Sequence, residues 1–524
     1  MTFFNPGQSK RAQIVLWVVL VGLLGLGGFI RLIDLTDPPI DFHPSRQLRN
    51  AVIARGIYYQ ILPNADPELR QQAITLANAA GRYEPPILEA IVGLTYRIIG
   101  GEYLWVSRIY STLFWLVGGL ALFFLARRMT TVGGALVALS YYLFLPFSVQ
   151  ASRSFQPDPQ MVMWLLLSVY CLYRWSDARE WKWAILAGLT GGMAVLVKIV
   201  VVYLVAGAGV AVVLSTLVAG DKAQDIPQGN IRVERPHVAS LLKRVLLSGQ
   251  VWVMVLLMAI PPAAYYLAGR PEGASGYFSQ WIGPLAHLIL NPSFYVRWIS
   301  FLHTWLDLTV ILLGLVGVLL SIPRNRTLLL GLWIGYGIYG LTMPYQMYTH
   351  NYYHIQLIPI VALSIAPVAH ALVERLAQQA KLWQWAFIGL LMSAIGYSSW
   401  VARSVLMAED FRSEPAYWHE MSKALPVDGK IIALTNDYGL RLLYYGWRNV
   451  GLWPSSGEQN LSELRGSGKD FQQQFANRTA QYDYFLVTAP GQLDKQPELS
   501  EMLSTHYPLV VKGDGYLVFD LSIQ

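Results

Sequence analysis

Cysteine is almost missing from this chain: Cys171 is the single one in 524 residues. One thiol excludes an intramolecular disulfide and any thiolate metal cluster, and within an apolar stretch it reads as a small buried hydrophobe rather than a nucleophile. Charge is scarce as well, at 14% Asp, Glu, Lys and Arg against 54% hydrophobic residues. The length alone would suggest three or four soluble domains, but this composition fits one large membrane domain and something smaller. The formal net charge of +7 is no nucleic-acid signal, because most Lys and Arg fall in short loops between apolar runs. There is no P-loop, no GxGxxG after a strand and no Ser/His/Asp elbow, which argues against nucleotide-driven chemistry in the membrane portion and against a soluble nucleotide-sugar site. Internal repeats and low-complexity tracts are also lacking, although 220–244 is rich enough in Pro, Gln and charge to be partly flexible.

What is present is a succession of apolar runs. Lys10 and Arg11 precede one from about Ile14 to Ile30 that resembles a signal peptide without a small-residue cleavage site, so it reads as a retained signal anchor. Further runs of spanning length lie at 103–126, 132–151, 158–174, 182–198, 200–219, 247–268, 301–322, 327–345, 355–373 and 383–402, which makes about eleven spans. With the N-terminus in the cytoplasm, the inner loops collect Arg127 and Arg128, Arg174, Arg179 and Lys182, Lys222 through Arg244, Arg324 and Arg326, and Arg375 and Lys381, as basic residues should. The odd count then puts the C-terminal segment on the outer, periplasm-like face of the inner (plasma) membrane.

Two stretches are too polar to span. In the outer loop 34–102, Asp66 followed by Pro67 predicts a helix from Pro67 to about Ala80. Leu48 to Tyr59, with Arg49 and Arg55 opposite its apolar residues, suits a helix lying in the membrane interface. The tail from about Ser404 contains strand patterns at Lys430–Thr435, Tyr482–Thr488, Tyr507–Val511 and Tyr516–Phe519 separated by helical ones, so 404–524 reads as a small α/β domain and 1–403 as the membrane domain.

Against so little charge, clusters at a membrane boundary carry the candidate chemistry. Asp34-Leu-Thr-Asp37-Pro-Pro-Ile-Asp41-Phe-His43-Pro-Ser-Arg46 follows the first span. Asp41, fixed by its prolines beside His43 and Arg46, can take a proton from an attacking hydroxyl; equally, the three aspartates can simply solvate a loop. In Arg153-Ser-Phe-Gln-Pro-Asp158-Pro, Asp158 can orient a sugar or join Asp41, or it can N-cap the following span. Arg82 and Glu84 ahead of Pro85-Pro86 can hold phosphate and sugar, or form a surface ion pair. Lys198 interrupts apolar sequence and calls for an anionic partner, for which a lipid phosphate is suitable. His350, Tyr353 and His354 lie on an aromatic outer turn. The i, i+4 histidines lack an intervening acid, so substrate contact or anchoring is preferred to a metal site.

The order of these pieces resembles the GT-C glycosyltransferases, specifically glycosyltransferase family 39, which includes protein O-mannosyltransferases and the aminoarabinose transferases that modify lipid A. The resemblance rests on Ile30-Arg-Leu-Ile-Asp-Leu-Thr-Asp-Pro-Pro-Ile-Asp41, then Glu84-Pro-Pro86, Arg108 through Ala126-Arg-Arg128, Ser152-Arg153 with Pro157-Asp158, Ala187-Gly-Leu-Thr-Gly-Gly-Met-Ala-Val-Leu-Val-Lys198 and Tyr353-His-Ile-Gln-Leu-Ile-Pro359. It implies a polytopic α-helical membrane protein of GT-C type with a large first outer loop. It also implies transfer of a sugar from a polyprenyl phosphate to an acceptor hydroxyl with inversion, with Asp41 as the base and Arg82, Arg153 and Lys198 as cations for the leaving phosphate. The acceptor would be a protein, lipid or glycan. No cofactor is required by this reading, and a divalent metal has no support. Many relatives carry an Asp-Glu pair in the first loop, whereas Phe42 and His43 follow Asp41 here. The competing readings are a lipid-linked oligosaccharide ligase or polymerase, and a transporter or flippase, which would show repeated halves and ionisable groups at mid-span.

Overall fold

The computed structural model describes residues 10–219, 238–268, 278–468 and 470–522. Of the segment expected to be partly flexible, 220–237 lies outside the described residues, while 238–244 belongs to the helix Val238–Leu247. The chain separates into two compact units. One gathers the described parts of Met1–Leu35, Arg108–Ala274 and Ala286–Ala408; the other gathers those of Thr36–Ser107, Ser275–Leu285 and Glu409–Gln524.

The first unit is helical. Among the described residues, six helices are long and apolar enough to cross a membrane: Lys10–Arg31, Trp105–Met129, Ile199–Thr216, Gly249–Leu267, Asn351–Ala377 and Lys381–Leu406. A seventh crossing arises if Pro292–Leu306 and Leu308–Leu320 act as one, but the two are bent by 97°. The run 301–322, expected as one span, is therefore broken: Asp307 adopts φ 65° and its carboxylate caps the second helix at the Thr309 amide, 2.8 Å away. The run 132–151 is likewise divided into Val132–Phe144 and Pro146–Ala151, because Pro146 cannot donate to the preceding turn. The remaining expected runs are the helices Asp158–Ala178, Trp181–Val197 and Pro323–Thr342.

Small residues let these helices meet. A Cβ on Gly207 would collide with the backbone carbonyl of Gly331, and one on Gly331 with that of Gly207, so Val202–Ala219 and Pro323–Thr342 cross backbone to backbone. Gly317 approaches the carbonyl of Ser364 in the same way. In a bilayer, where lipid is as apolar as a leucine side chain, such close packing is a main source of helix association.

The second unit combines three helices of the outer loop with the C-terminal α/β fold. Pro67–Ala80 forms as expected, with the Asp66 carboxylate accepting from the amides of Glu68 and Leu69. Pro44–Ile61, by contrast, is no interfacial helix with an outward basic face. Leu48, Val52 and Ala54 are buried, and so is Arg55. Arg55 reaches Glu102 at 2.9 Å, and its guanidinium lies between the rings of Tyr444 and Trp447, 3.9 and 4.2 Å from their centres. This pairing makes burial of the arginine tolerable and ties the helix to the C-terminal segment.

The sheet runs β2-β1-β3-β5-β4, with β1 (Ile431–Leu434), β2 (Gly451–Leu452), β3 (Tyr484–Val487), β4 (Leu509–Gly513) and β5 (Tyr516–Asp520). β1 pairs in parallel with β2 and β3; β5 pairs antiparallel with β3 and β4. Side chains alternate across it. Ile432, Leu434, Phe485, Val487 and Phe519 enter one core with Trp453, Phe475, Leu499 and Leu503, while Ile431, Ala433, Leu486 and Val518 enter another with Trp418, Met421 and Leu442. Helices thus cover both faces, as a sheet buried on two sides requires. β2 has only two residues, too few for an alternating pattern to show in the sequence.

Candidate functional site

The candidate residues fall into two sets, one in each unit. In the second unit, Asp37 and Asp41, on either side of the Pro pair, separate in role. The buried Asp37 carboxylate accepts from the Phe411 amide at 2.9 Å and faces Arg412, so it secures the backbone. Asp41 is half-buried and faces Gln47, whose Nε2 lies 3.4 Å from Asp41 Oδ1 and donates to the Phe42 carbonyl at 2.7 Å. Gln47 is fully buried, so the amide that steadies Asp41 is itself fixed.

Phe42 and His43 provide the turn. Phe42 is buried, and His43 adopts φ 48°, a left-handed conformation that costs an L-residue about 1–2 kcal/mol. Its carbonyl accepts from the amides of Arg46 and Gln47, and its ring meets that of Phe42 edge-on at 4.6 Å. With Pro44 starting the helix, the geometry swings Asp41 back over the first helical turn.

Glu84 pairs with Arg46 at 2.8 Å rather than with its near neighbour Arg82, which is exposed. Three residues beyond the Pro pair, Glu89 is buried in the first turn of Ile87–Ile99. Burial, with the nearby Glu84 adding to it, pushes its carboxyl up to about 8, against the opposing pull of Arg46 and Arg82. Nothing in the local pattern distinguishes Glu89 from a surface acid.

In the first unit, Asp158 occupies the first turn of Asp158–Ala178 without capping it; the N-cap is Pro157. Its Oδ1 lies 2.7 Å from Lys198 Nζ, and both side chains are buried. Lys198 ends the helix Trp181–Val197 in an extended conformation, and its ammonium sits 5.0 and 5.3 Å from the ring centres of Tyr352 and Tyr353. The anionic partner expected for Lys198 is thus supplied by the chain itself. Tyr353 in turn stacks on Tyr339, at 6.2 Å and 11°, and its ring meets that of His350.

Arg153 is buried and donates to the carbonyls of Ile33 and Asp34. Arg108 donates to the carbonyls of Asp34 and Leu35 at 3.1 and 2.9 Å, so two arginines hold the chain where it leaves the first helix. The pair His350 and His354 does not share a helix face. His350 is extended, at φ −131°, and the turn after it is the short 3-10 helix Asn351–His354. His354 is fully buried between the Tyr336 hydroxyl, 2.6 Å from Nδ1, and the Met347 carbonyl, 3.0 Å from Nε2. Among the described residues, no group of three His, Cys, Asp or Glu is placed to hold a metal ion.

Sequence reasoning missed four glutamines. Gln156, Gln160, Gln346 and Gln356 are each at most 3% exposed, and each buries an amide oxygen that no donor among the described residues reaches; the second carboxylate oxygen of Asp158 is in the same condition. Lys198 links Asp158 to Tyr352 and Tyr353, bringing the 156–160 segment to the 346–356 segment. Neutral amides leave no charge signature in a sequence.

Residues 83–224 match the family of dolichyl-phosphate-mannose-protein mannosyltransferases. No curated protein matches the chain by sequence. Among solved structures, it is similar to ArnT from Cupriavidus metallidurans bound to undecaprenyl phosphate, at 15% identity and TM-score 0.51, over 98% of each chain. It is similar to the Archaeoglobus fulgidus oligosaccharyltransferase complex with zinc and sulfate, at 14% identity and TM-score 0.50, over 93% of this chain and 71% of the other. It also resembles the arabinofuranosyltransferase AftD from mycobacteria, at 14% identity and TM-score 0.52, over 98% of this chain and 42% of that one.

Proposed function

We propose that this integral membrane protein, which has the GT-C fold, is a glycosyltransferase that moves a sugar from a polyprenyl-phosphate carrier to an acceptor hydroxyl on the outer face of the membrane. The observation that carries the proposal is the match of residues 83–224 to a family that uses a lipid-phosphate sugar, because Glu84, Arg153, Asp158 and Lys198 all lie in that stretch. The full-length likeness to an enzyme seen with undecaprenyl phosphate supports the choice of carrier.

In this reading the acceptor oxygen attacks the anomeric carbon, the bond from that carbon to the phosphate oxygen breaks, and the carrier phosphate leaves with the electron pair. Asp41 takes the acceptor's proton. Its suitability comes from its setting: a half-buried carboxylate held by a fixed amide on a strained, proline-bounded turn loses little freedom on reaching the reactive geometry. Lys198 supplies positive charge for the leaving phosphate, with Asp158 and the two tyrosines orienting the ammonium. Arg153 acts as a positioning residue, through the backbone carbonyls it holds. Arg82, which is exposed, is assigned to the lipid headgroup.

Vesicles containing the purified chain test the donor class. Labelled sugar should pass to an acceptor from polyprenyl phosphate and not from a nucleotide sugar. Transfer from the nucleotide sugar alone would overturn the proposal.

A further inference from the structure

Gln156, Gln160, Gln346 and Gln356 are 0%, 3%, 2% and 1% exposed, yet none of their amide oxygens has a hydrogen-bond partner among the described residues. Buried polar atoms in folded proteins are almost always satisfied, by protein, water or ligand. Such an atom left unpaired costs stability for no structural return. Four of them, with Asp158 Oδ2 as a fifth, lie on two segments that Lys198 joins, by its ion pair with Asp158 and its approach to the rings of Tyr352 and Tyr353.

The chemistry of the set leans one way. Five of the six unpartnered atoms on these side chains are acceptors and the sixth, Gln156 Nε2, is a donor, so they call for a ligand that chiefly donates and also accepts. A phosphate group, which presents acceptor oxygens, is the wrong partner, whereas a sugar presents several hydroxyl donors on a compact ring. Charge narrows the choice further. The one carboxylate in the set is already neutralised by Lys198 at 2.7 Å, so a cationic sugar would enter without an uncompensated anion, and a desolvated ammonium needs one.

We infer that Gln156, Gln160, Gln346 and Gln356, with Asp158, recognise the hydroxyl groups of the transferred sugar, and that this sugar is an uncharged polyol rather than an amino sugar. The inference rests on the polyprenyl-phosphate reading above. It assigns sugar recognition to neutral amides and leaves the carrier phosphate to cations. It also sets a trade-off: the amides are kept at the expense of stability in the ligand-free protein.

The test uses the full chain in lipid nanodiscs and three probes: undecaprenyl phosphate, the same carrier bearing mannose, and the same carrier bearing a 4-amino pentose. Wild type should bind the mannosyl carrier about tenfold or more tightly than the bare carrier, and the amino-sugar carrier less tightly than the mannosyl one. Gln156→Met and Gln356→Met, close in size to the native side chains, should each remove about tenfold of that gain, the equivalent of one ordinary hydrogen bond, and leave bare-carrier binding unchanged. Their ligand-free melting temperatures should rise. Gln356→Asn, which keeps the amide and shortens its reach, should lose the sugar's gain as well. If the sugar adds nothing in wild type, the amides hold ordered water only and the inference falls. It also falls if the amino sugar is preferred, if the variants bind all carriers as wild type does, or if they melt lower and bind no carrier. A wild type that binds no carrier at all overturns the underlying reading instead.

Discussion

Lys198 Nζ lies 2.7 Å from Asp158 Oδ1, with the side chains 6% and 3% exposed. Two groups that were separate candidates in the sequence are therefore one unit. Removing either partner leaves a buried charge without its counter-charge, at a cost of about 3–5 kcal/mol. Lys198→Met and Asp158→Asn should each lose that much in denaturant unfolding. The double variant should be more stable than either single one while remaining inactive in sugar transfer, because the ammonium is then gone.

Glu89 gives a pH dependence. Its folded carboxyl is held up to about 8 against an ordinary value of 4.5, so between those values the folded state binds a proton that the unfolded state has lost. The sign follows: the contribution of Glu89 is full below pH 4.5, declines as pH rises through that window, and is flat above about 8. The slope reaches about 1.4 kcal/mol per pH unit at most. Unfolding of Glu89→Gln measured across the window should lack this decline relative to wild type.

The Arg55, Glu102 and Tyr444 cluster should fasten the outer-loop helices to the C-terminal fold within the second unit. Arg55→Met leaves the half-buried Glu102 without its cation and should cost about 1–3 kcal/mol. Tyr444→Phe removes one hydroxyl bond and should cost about 1 kcal/mol. Limited proteolysis should cut the first variant much faster than the second.

His350 and His354 should behave differently. His354→Leu breaks two buried hydrogen bonds and should destabilise by about 1–3 kcal/mol, whereas His350, partly exposed and bonded through Nδ1 to the Thr349 hydroxyl at 2.7 Å, should lose about 0.5–1 kcal/mol as Leu. Equal losses, together with stabilisation of wild type by zinc, would restore the paired-ligand arrangement.

What was legible in the sequence had a periodic or steric signature. Asp66-Pro67 marked a helix start, short runs of aliphatic and aromatic residues marked four of the five strands, and the ordered Pro-Pro, Arg and Lys motifs pointed to the GT-C fold. Contacts over long sequence separation were not legible. Lys198 needed an anion, yet no local pattern pointed to Asp158, forty positions earlier. The bend at Asp307 was hidden because a single polar residue inside an apolar run barely lowers its hydropathy. The interfacial helix was misread for a related reason: Arg49 and Arg55 have the spacing of a solvated face, and only the tertiary partners of Arg55 make its burial possible. The glutamines carried no signal, since a neutral amide means nothing until its burial is known.

The central claim is that Asp41 takes the acceptor's proton during transfer from a lipid-phosphate donor. Its most direct test is the initial rate of labelled-sugar transfer from polyprenyl phosphate in reconstituted vesicles, comparing wild type with Asp41→Asn. The account predicts a fall of about 10²–10⁴-fold, with the unfolding midpoint and carrier binding unchanged. Transfer at the wild-type rate by a folded Asp41→Asn protein would contradict it.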